Sequence, residues 1–415
     1  MATADVAGRS RIADPSLADE GEQRIAWAAR HSPVLTALAR DRLGDGALRG
    51  RRVAVVVHLE AKTAYLATLL AEAGAEVVAA GSNPRSTQDA VCAALVRRGI
   101  EVHARHDSTP EEFTADLLAV ADTGPELVVD DGAELTRRIL EHRPELADGL
   151  RGVTEETTTG VARLRAMEAD GRLTFPAIAA NDARCKHLFD NPHGTGQSAL
   201  TAILRLTNLA AAGKRFCVIG YGWVGQGLAR RAAGYGGKVT VVEVDPVQAL
   251  RALMDGFRVA PIASAVEDAD FVITATGLAD SLPASVFPRL KDGVVLANAG
   301  HHDREIDVPA LADGEEVRPG VTRHDVAGRR VHLLVGGALV NIAGGDGNPV
   351  EIMDLSFSVQ ALSVHLLASG GVPPGLNRFP AELDREIART KLATLGIELD
   401  EPTDAQLRVA REWSA

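Results

Sequence analysis

The sequence predicts an α/β protein made of two doubly wound parallel-sheet domains, a substrate domain and a Rossmann-type domain, with a helical C-terminal tail. Three observations carry this expectation. Short apolar runs alternate with helix-period segments from residue 51 to 129, the alternation restarts at residue 216, and a glycine-rich turn opens the second series. The first series reads RRVAVVVHL as strand, TAYLATLLAEAG as helix, AEVVAAGS as strand, DAVCAALVRRG as helix and IEVHAR as strand. PEEFTADLLAVAD then reads as helix and ELVVDD as strand. FCVIGYG, KVTVVEVD, FRVAPIA, DFVITATG and GVVLANAG form the second series. The boundary falls near NPHGTGQS, giving expected domains at 1–190 and 191–347. EIMDLSFSVQALSVHLL has an apolar stripe at helical spacing, so residues 348–380 are expected to return and complete the first domain. Residues 381–415, amphipathic and charged, are expected to be a tail that assembles a homodimer or homotetramer.

A chain of 415 residues exceeds one ordinary core. Apolar residues make up 46% and charged residues 24%, with no long uncharged apolar stretch, which predicts a soluble protein with no membrane partner. The first 24 residues are polar and acidic, fit no secretory leader, and suggest a loose N-terminus on a cytoplasmic chain. Cys92, Cys185 and Cys217 have neither metal spacing nor an even count for disulfides, and no HExxH pairing occurs, so no metal is expected. A formal charge of −12 without a basic stripe excludes a nucleic-acid partner.

KRFCVIGYGWVGQG places Gly220, Gly222 and Gly225 after an apolar run, with Trp223 and Val224 opening the following helix. The first glycine turns the chain off a strand, the second admits a pyrophosphate, and the third lets helix pack on sheet. Glu243, at the end of the next strand, can accept hydrogen bonds from a ribose diol and would repel a 2′-phosphate, so NAD is expected over NADP. Polar residues recur at other strand ends: His58, Asn83, Asp130, Asp131, Thr276, and Asn298 to His301. Ligands of open α/β sheets bind at such ends, although each residue alone also fits a cap or turn.

Several motifs resemble S-adenosyl-L-homocysteine hydrolases: HLEAKTA at 58–64, SNPRSTQD at 82–89, DDG at 130–132, EETTTG, CKHLFDN, GYGWVGQG, ATG at 275–277, NAGH at 298–301 and LVN at 339–341. The similarity runs from about residue 51 onward. It implies a redox-neutral cycle in which bound NAD takes hydride from C3′ of an adenine nucleoside, or of S-adenosylhomocysteine. The resulting ketone acidifies C4′–H, and the 5′ substituent leaves. By this resemblance Lys186, near Asp190, is the base for the 3′-hydroxyl, with a pKa lowered by desolvation. Asp131 serves the C4′ and C5′ end, His58 and His301 exchange protons with the leaving group, and Glu156 clamps the ribose. Thr157, Thr158, Thr159, Asn191, Thr276, Asn298 and Asn341 match cofactor contacts, and Glu60, Lys62, Thr63, His302, Asn348 and Met353 are candidate substrate contacts. The spacing of Lys186 and Asp190 alone also fits a helix-surface ion pair.

Departures from the family pattern cluster on one side of the expected substrate. His301-His302 stands for His-Phe, Gly347-Asn348-Pro349 for Gly-His-Pro, Gly336-Gly337-Ala338 for Glu-Gly-Arg, and Ala133-Glu134 for Gly-Asp. Lys62 replaces Gln or Glu near the base, which leaves an inosine-type nucleoside open. With the oxidising residues intact and the leaving-group side altered, the expectation is a nucleoside 5′-dehydratase making a 4′,5′-ene. An authentic S-adenosylhomocysteine hydrolase and a non-catalytic NAD-binding regulator are the alternatives.

Overall fold

The computed structural model describes residues 3–301 and 303–411. Strands β1 (Arg52–Val57), β2 (Glu76–Gly81), β3 (Glu101–His103), β4 (Leu127–Asp130), β5 (Gly152–Glu155) and β6 (Pro176–Ala179) form one sheet. The second contains β7 (Arg215–Ile219), β8 (Lys238–Val242), β9 (Arg258–Val259), β10 (Phe271–Thr274), β11 (Val294–Asn298), β12 (Glu315–Arg318), β13 (Val321–Val326) and β14 (Arg329–Leu334). A last strand, β15 (Gly375–Arg378), returns to the first sheet beside β6.

The first sheet is parallel throughout, in the order β3-β2-β1-β4-β5-β6-β15. The second runs β9-β8-β7-β10-β11-β14 in parallel and ends in the antiparallel pair β13 and β12. The central strands read as unbroken apolar runs because helices cover both faces: Val53 to Val57 are all buried. Strand order reverses between β1 and β4 and between β7 and β10, so each sheet opens a crevice at its carboxyl edge.

Sequence periodicity missed β5, β6, β15 and the β12–β14 meander. The first three are only four residues each, and β12 is exposed and charged, so neither length nor alternation marks them. From Thr3 onward the N-terminal segment, expected to be loose, is largely helical. Helix Ala18–Arg30 lies against helix Asp89–Arg97, with Gly21 so close that a Cβ would come within 1.9 Å of Ala90 O. Ile25, Val34, Leu35 and Leu38 enter the first core, and Arg11 bridges to His103.

Helix Val350–Ser369 is long and apolar enough to cross a bilayer, but most of that length is buried in the protein. Its residues Met353, Phe357 and Leu362 pack in the first core. Helix Ala381–Thr394, assigned to an assembly tail by sequence, is docked on its own chain, with Ile387 fully buried in the same core. An amphipathic pattern shows that one face is covered without showing by which chain.

Candidate active site

A cavity of about 700 Å³ opens where the carboxyl edges of the two sheets face each other. That is a size suited to a small organic ligand. His58, Glu60, Lys62, Thr63, Asp131, Glu156, Lys186, Asp190, Asn348 and Met353 line it from the first domain and its connections. From the other side come Gly222, Trp223, Val224, Thr276, His301 and Asn341, with Thr157, Thr158, Thr159 and Asn191 between. His302 lies outside the described residues. Gly220, Gly225, Glu243 and Asn298 do not line the cavity and shape its walls instead.

The glycine turn divides its labour. Gly220 has φ +98° and sits where a Cβ would be 2.8 Å from Ala275 O, so both conformation and space require glycine. At Gly225 a Cβ would come 2.0 Å from Gly220 O, which closes helix Trp223–Gly234 onto β7. Gly222 differs: a Cβ there would meet no atom of the described residues within 4 Å. Gly222 also precedes a helix whose first turn has no side-chain cap, so its amides are presented to the cavity as an anion site. Glu243 is held beside this turn by the amides of Tyr221, Val244 and Asp245 at 2.7, 2.7 and 2.9 Å. Asn341 Oδ1 is buried with no hydrogen-bond partner among the described residues, a position that suits an amide donor such as a nicotinamide carboxamide. These features fit NAD. Asn298, expected to contact the cofactor, accepts from Thr274 and from the Gly300 amide and donates to Gly337 O, tying loops together behind the wall.

In the first domain the strand ends carry charge. Lys186 Nζ lies 2.8 Å from Asp190 Oδ2, 3.1 Å from Asn181 Oδ1, 3.3 Å from Asn191 Oδ1 and 4.0 Å from Glu156 Oε1. Burial works to lower its pKa, as the sequence reading expected, but Asp190 and Glu156 outweigh burial and hold the amine above its ordinary value. Glu156 is anchored through Oε2 by Gln360 Nε2 at 2.5 Å, while its buried Oε1 has no hydrogen-bond partner among the described residues. Burial raises this carboxyl to about 8 against the pull of Lys186. A hydroxyl donor in the cavity would satisfy Oε1.

Asp131 Oδ2 accepts from Ser82 Oγ at 2.9 Å and lies 3.5 Å from His58 Nε2. His58 Nδ1 is 2.6 Å from Ser86 Oγ, which fixes the ring orientation. His301 reaches this group from the other domain: a Cβ at Gly132 would stand 3.2 Å from its Nε2. The neighbouring acids are structural. Asp130 accepts from the amides of Asp131, Leu135 and Thr136, and Glu155 from those of Gly132, Ala133 and Thr157. β4 ends at Asp130 and β5 at Glu155, whose carboxylates turn inward onto loop amides, and the next residue of each segment, Asp131 and Glu156, faces the cavity.

Structure adds residues that sequence reading passed over. Gln360 bridges Thr154 Oγ1 and Glu156, and Glu305 receives the amides of Thr276 and Gly277 at 3.0 and 2.7 Å. Arg163 joins Gly132 O to Glu134 at 2.7 Å. No local motif marks them, because each acts on a partner remote in sequence. Ala133 takes φ +53°, a conformation glycine adopts without strain; here it costs about 1–2 kcal/mol. Asn348 uses both ends of its amide: Nδ2 donates to Asp190 Oδ1 and Thr195 Oγ1 at 2.5 and 3.1 Å, and Oδ1 accepts from Ser198 and Asn341 at 2.9 and 3.0 Å.

Comparison with known proteins agrees with this geometry. Residues 191–347 match the family described as S-adenosyl-L-homocysteine hydrolase, NAD binding domain, and residues 9–145 match S-adenosyl-L-homocysteine hydrolase. The chain is 48% identical to an S-inosyl-L-homocysteine hydrolase of Methanopyrus kandleri, over 98% of each chain. It is also 48% identical to an adenosylhomocysteinase of Thermotoga maritima, over 95% of this chain and 99% of that one. A third relative, the adenosylhomocysteinase of Thermococcus kodakarensis, is 46% identical over 97% of both. The chain therefore belongs to the S-adenosyl-L-homocysteine hydrolase family and is an NAD-dependent enzyme.

Proposed function

We propose that this enzyme oxidises C3′ of a purine nucleoside, removes the C4′ proton, expels the 5′ substituent and re-reduces C3′, with water as the leaving group. The observation that carries the reading is the convergence of two acid-base groups on one cavity: Lys186 with Asp190 and Glu156, and Asp131 with His58 and His301. NAD, held by the Gly222 turn, Thr276 and Asn341, would supply a hydride acceptor at C3′ and return the hydride at the end. Lys186, an ammonium at rest between Asp190 and Glu156, passes a proton to Asp190 as it takes that of the 3′-hydroxyl, and Glu156 Oε1 accepts from the sugar diol. Asp131 faces the C4′ hydrogen, and His58 or His301 gives the departing hydroxide its proton. Atoms balance without an external oxidant: nucleoside becomes a 4′,5′-ene and water.

The base would lie between Met353, Phe357, Leu339 and Ile342, where the Glu60–Lys62 pair, 2.9 Å apart, supplies a polar edge. The leaving-group assignment has two supports. Asn348 stands where the resemblance places a histidine, and its hydrogen bonds are committed to the protein. Among the described lining residues, Lys62, Arg163 and Lys186 each face a carboxylate of the chain, which favours a small neutral leaving group over a zwitterionic amino acid. Hydrolysis of an S-nucleosyl-homocysteine is the second reading, favoured by the names of the full-length relatives. Exposed Val247, Leu250, Leu253 and Met254 on one helix support assembly into a homodimer or homotetramer.

Purified enzyme should be incubated separately with adenosine, S-adenosylhomocysteine and S-inosylhomocysteine. A nucleoside product lighter by one water, formed without thiol, supports the dehydratase. Rapid thiol release with no such product replaces it with the hydrolase.

A further inference from the structure

We infer that Asp384, distant in sequence and outside the cavity, is a positioning residue for Lys186. The inference rests on the reading of Lys186 as the group that takes the 3′-hydroxyl proton. Lys186 sits on a single helical turn, Arg184–His187, preceded by Ala183, which has no side-chain group to cap it. So short a helix leaves its first amides without internal acceptors. Asp384 provides them from 200 residues away: Oδ2 accepts from Arg184 N at 2.7 Å and Oδ1 from Cys185 N at 2.8 Å. Cys185 Sγ donates in turn to Asp384 O at 3.1 Å. Both carboxylate oxygens are thus spent on orienting the peptide units just before Lys186.

The far side of the device is rigid. Asp384 is buried on helix Ala381–Thr394, which is fixed by Ile387 in the first core and by Lys391 at 3.2 Å from Asp354, while the Arg42–Glu386 pair at 2.6 Å lies on its exposed face. The near side is exacting. Lys186 Nζ must stay within hydrogen-bond reach of Asp190, Asn181 and Asn191 at once, and a small rotation of the turn would break that set. A displacement of about 1 Å in such a group is enough to cost orders of magnitude in rate.

The test compares Asp384→Ala, Asp384→Asn and Arg42→Ala with wild type in the NAD-loaded enzyme; Arg42→Ala removes the exposed ion pair of the same helix, away from the turn. Two quantities are read: the rate and pH profile of nicotinamide reduction by nucleoside, and the pH dependence of Lys186 modification by an amine-directed reagent without nucleoside, followed by mass spectrometry. Asp384→Ala should slow reduction by about tenfold or more with KM changed less than about twofold. It should also shift the pH at which Lys186 becomes reactive. Asp384→Asn, which keeps one acceptor, should fall between, and Arg42→Ala should match wild type. If Asp384→Ala and Asp384→Asn melt earlier yet keep the wild-type rate, pH profile and Lys186 reactivity, the positioning role is refuted. A wild-type enzyme in which no nucleoside reduces nicotinamide sinks the catalytic reading of Lys186, while the reactivity measurement still decides the role of Asp384.

Discussion

At the crevice of the second sheet, between β7 and β10, side chains are withdrawn: Gly222 faces open space and backbone amides are presented. The matching crevice of the first sheet, between β1 and β4, is filled by His58 and Asp131, steadied by Ser86 and Ser82. The strand order around both is the same. Topology therefore supplies only the place, and the residue at each strand end decides whether it becomes a cradle for an anionic cofactor or a chamber for proton transfer. A residue in the chamber should be indispensable to the chemistry, whereas a residue in the cradle should matter to affinity.

The largest effect is expected in the chamber. Lys186→Ala should lower the rate of nucleoside oxidation by about 10³-fold with NAD still bound, and Lys186→Arg should not restore it, because guanidinium does not give up its proton. Comparable turnover in either variant would remove Lys186 from the reaction. In the cradle, Gly222→Asp should weaken NAD binding by roughly 100-fold through repulsion of the pyrophosphate. Its melting temperature without cofactor should stay within about 2 °C, since no atom of the described residues contests the space. Gly225→Ala is the contrast, because its Cβ would strike Gly220 O and should lower the melting temperature itself. Calorimetric titration and thermal melts separate the two; equal loss of stability in both would show that Gly222 is a packing residue.

At the cradle's rim, Glu243→Ala should relax the preference for NAD over NADP by about tenfold in competitive binding. An unchanged ratio would mean that the three amides around Glu243 are its whole purpose. The smallest effect concerns pH. Glu156 has a folded-state pKa raised from 4.5 to about 8, so the stability tied to its protonated form is complete below the ordinary carboxyl range and is lost as pH rises through about 8. Cofactor-free Glu156→Gln should therefore gain about 3 °C in melting temperature over wild type between pH 5 and pH 8. A constant difference across that range would show that Glu156 is ionised throughout.

The cofactor cradle was legible because its chemistry is local. Three glycines within six residues and an acid at the next strand end carry the same information in sequence and in space. The chamber was legible only in part. Lys186 and Asp190 lie four apart on one short segment and could be read, but their alignment depends on Asn348 and Asp384, which approach from 158 and 200 residues away from their respective bonding partners. The lowered pKa expected for Lys186 failed because desolvation was set above the ion pair: Asp190, four residues on and 2.8 Å away, is the main pull upward, and Glu156 adds to it through a 4.0 Å approach that exists only in the folded chain. Helix Ala381–Thr394 shows the same limit, since its amphipathic pattern named a covered face but not the neighbour.

The central claim is that the sugar is oxidised before anything leaves, and a nucleoside with no leaving group isolates that step. NAD-loaded enzyme mixed with 5′-deoxyadenosine, with hydrogen or deuterium at C3′, should show nicotinamide reduction approaching one equivalent per site, slower for the deuterated compound. No reduction with either isotopologue, from protein that still converts a 5′-substituted nucleoside, would contradict it.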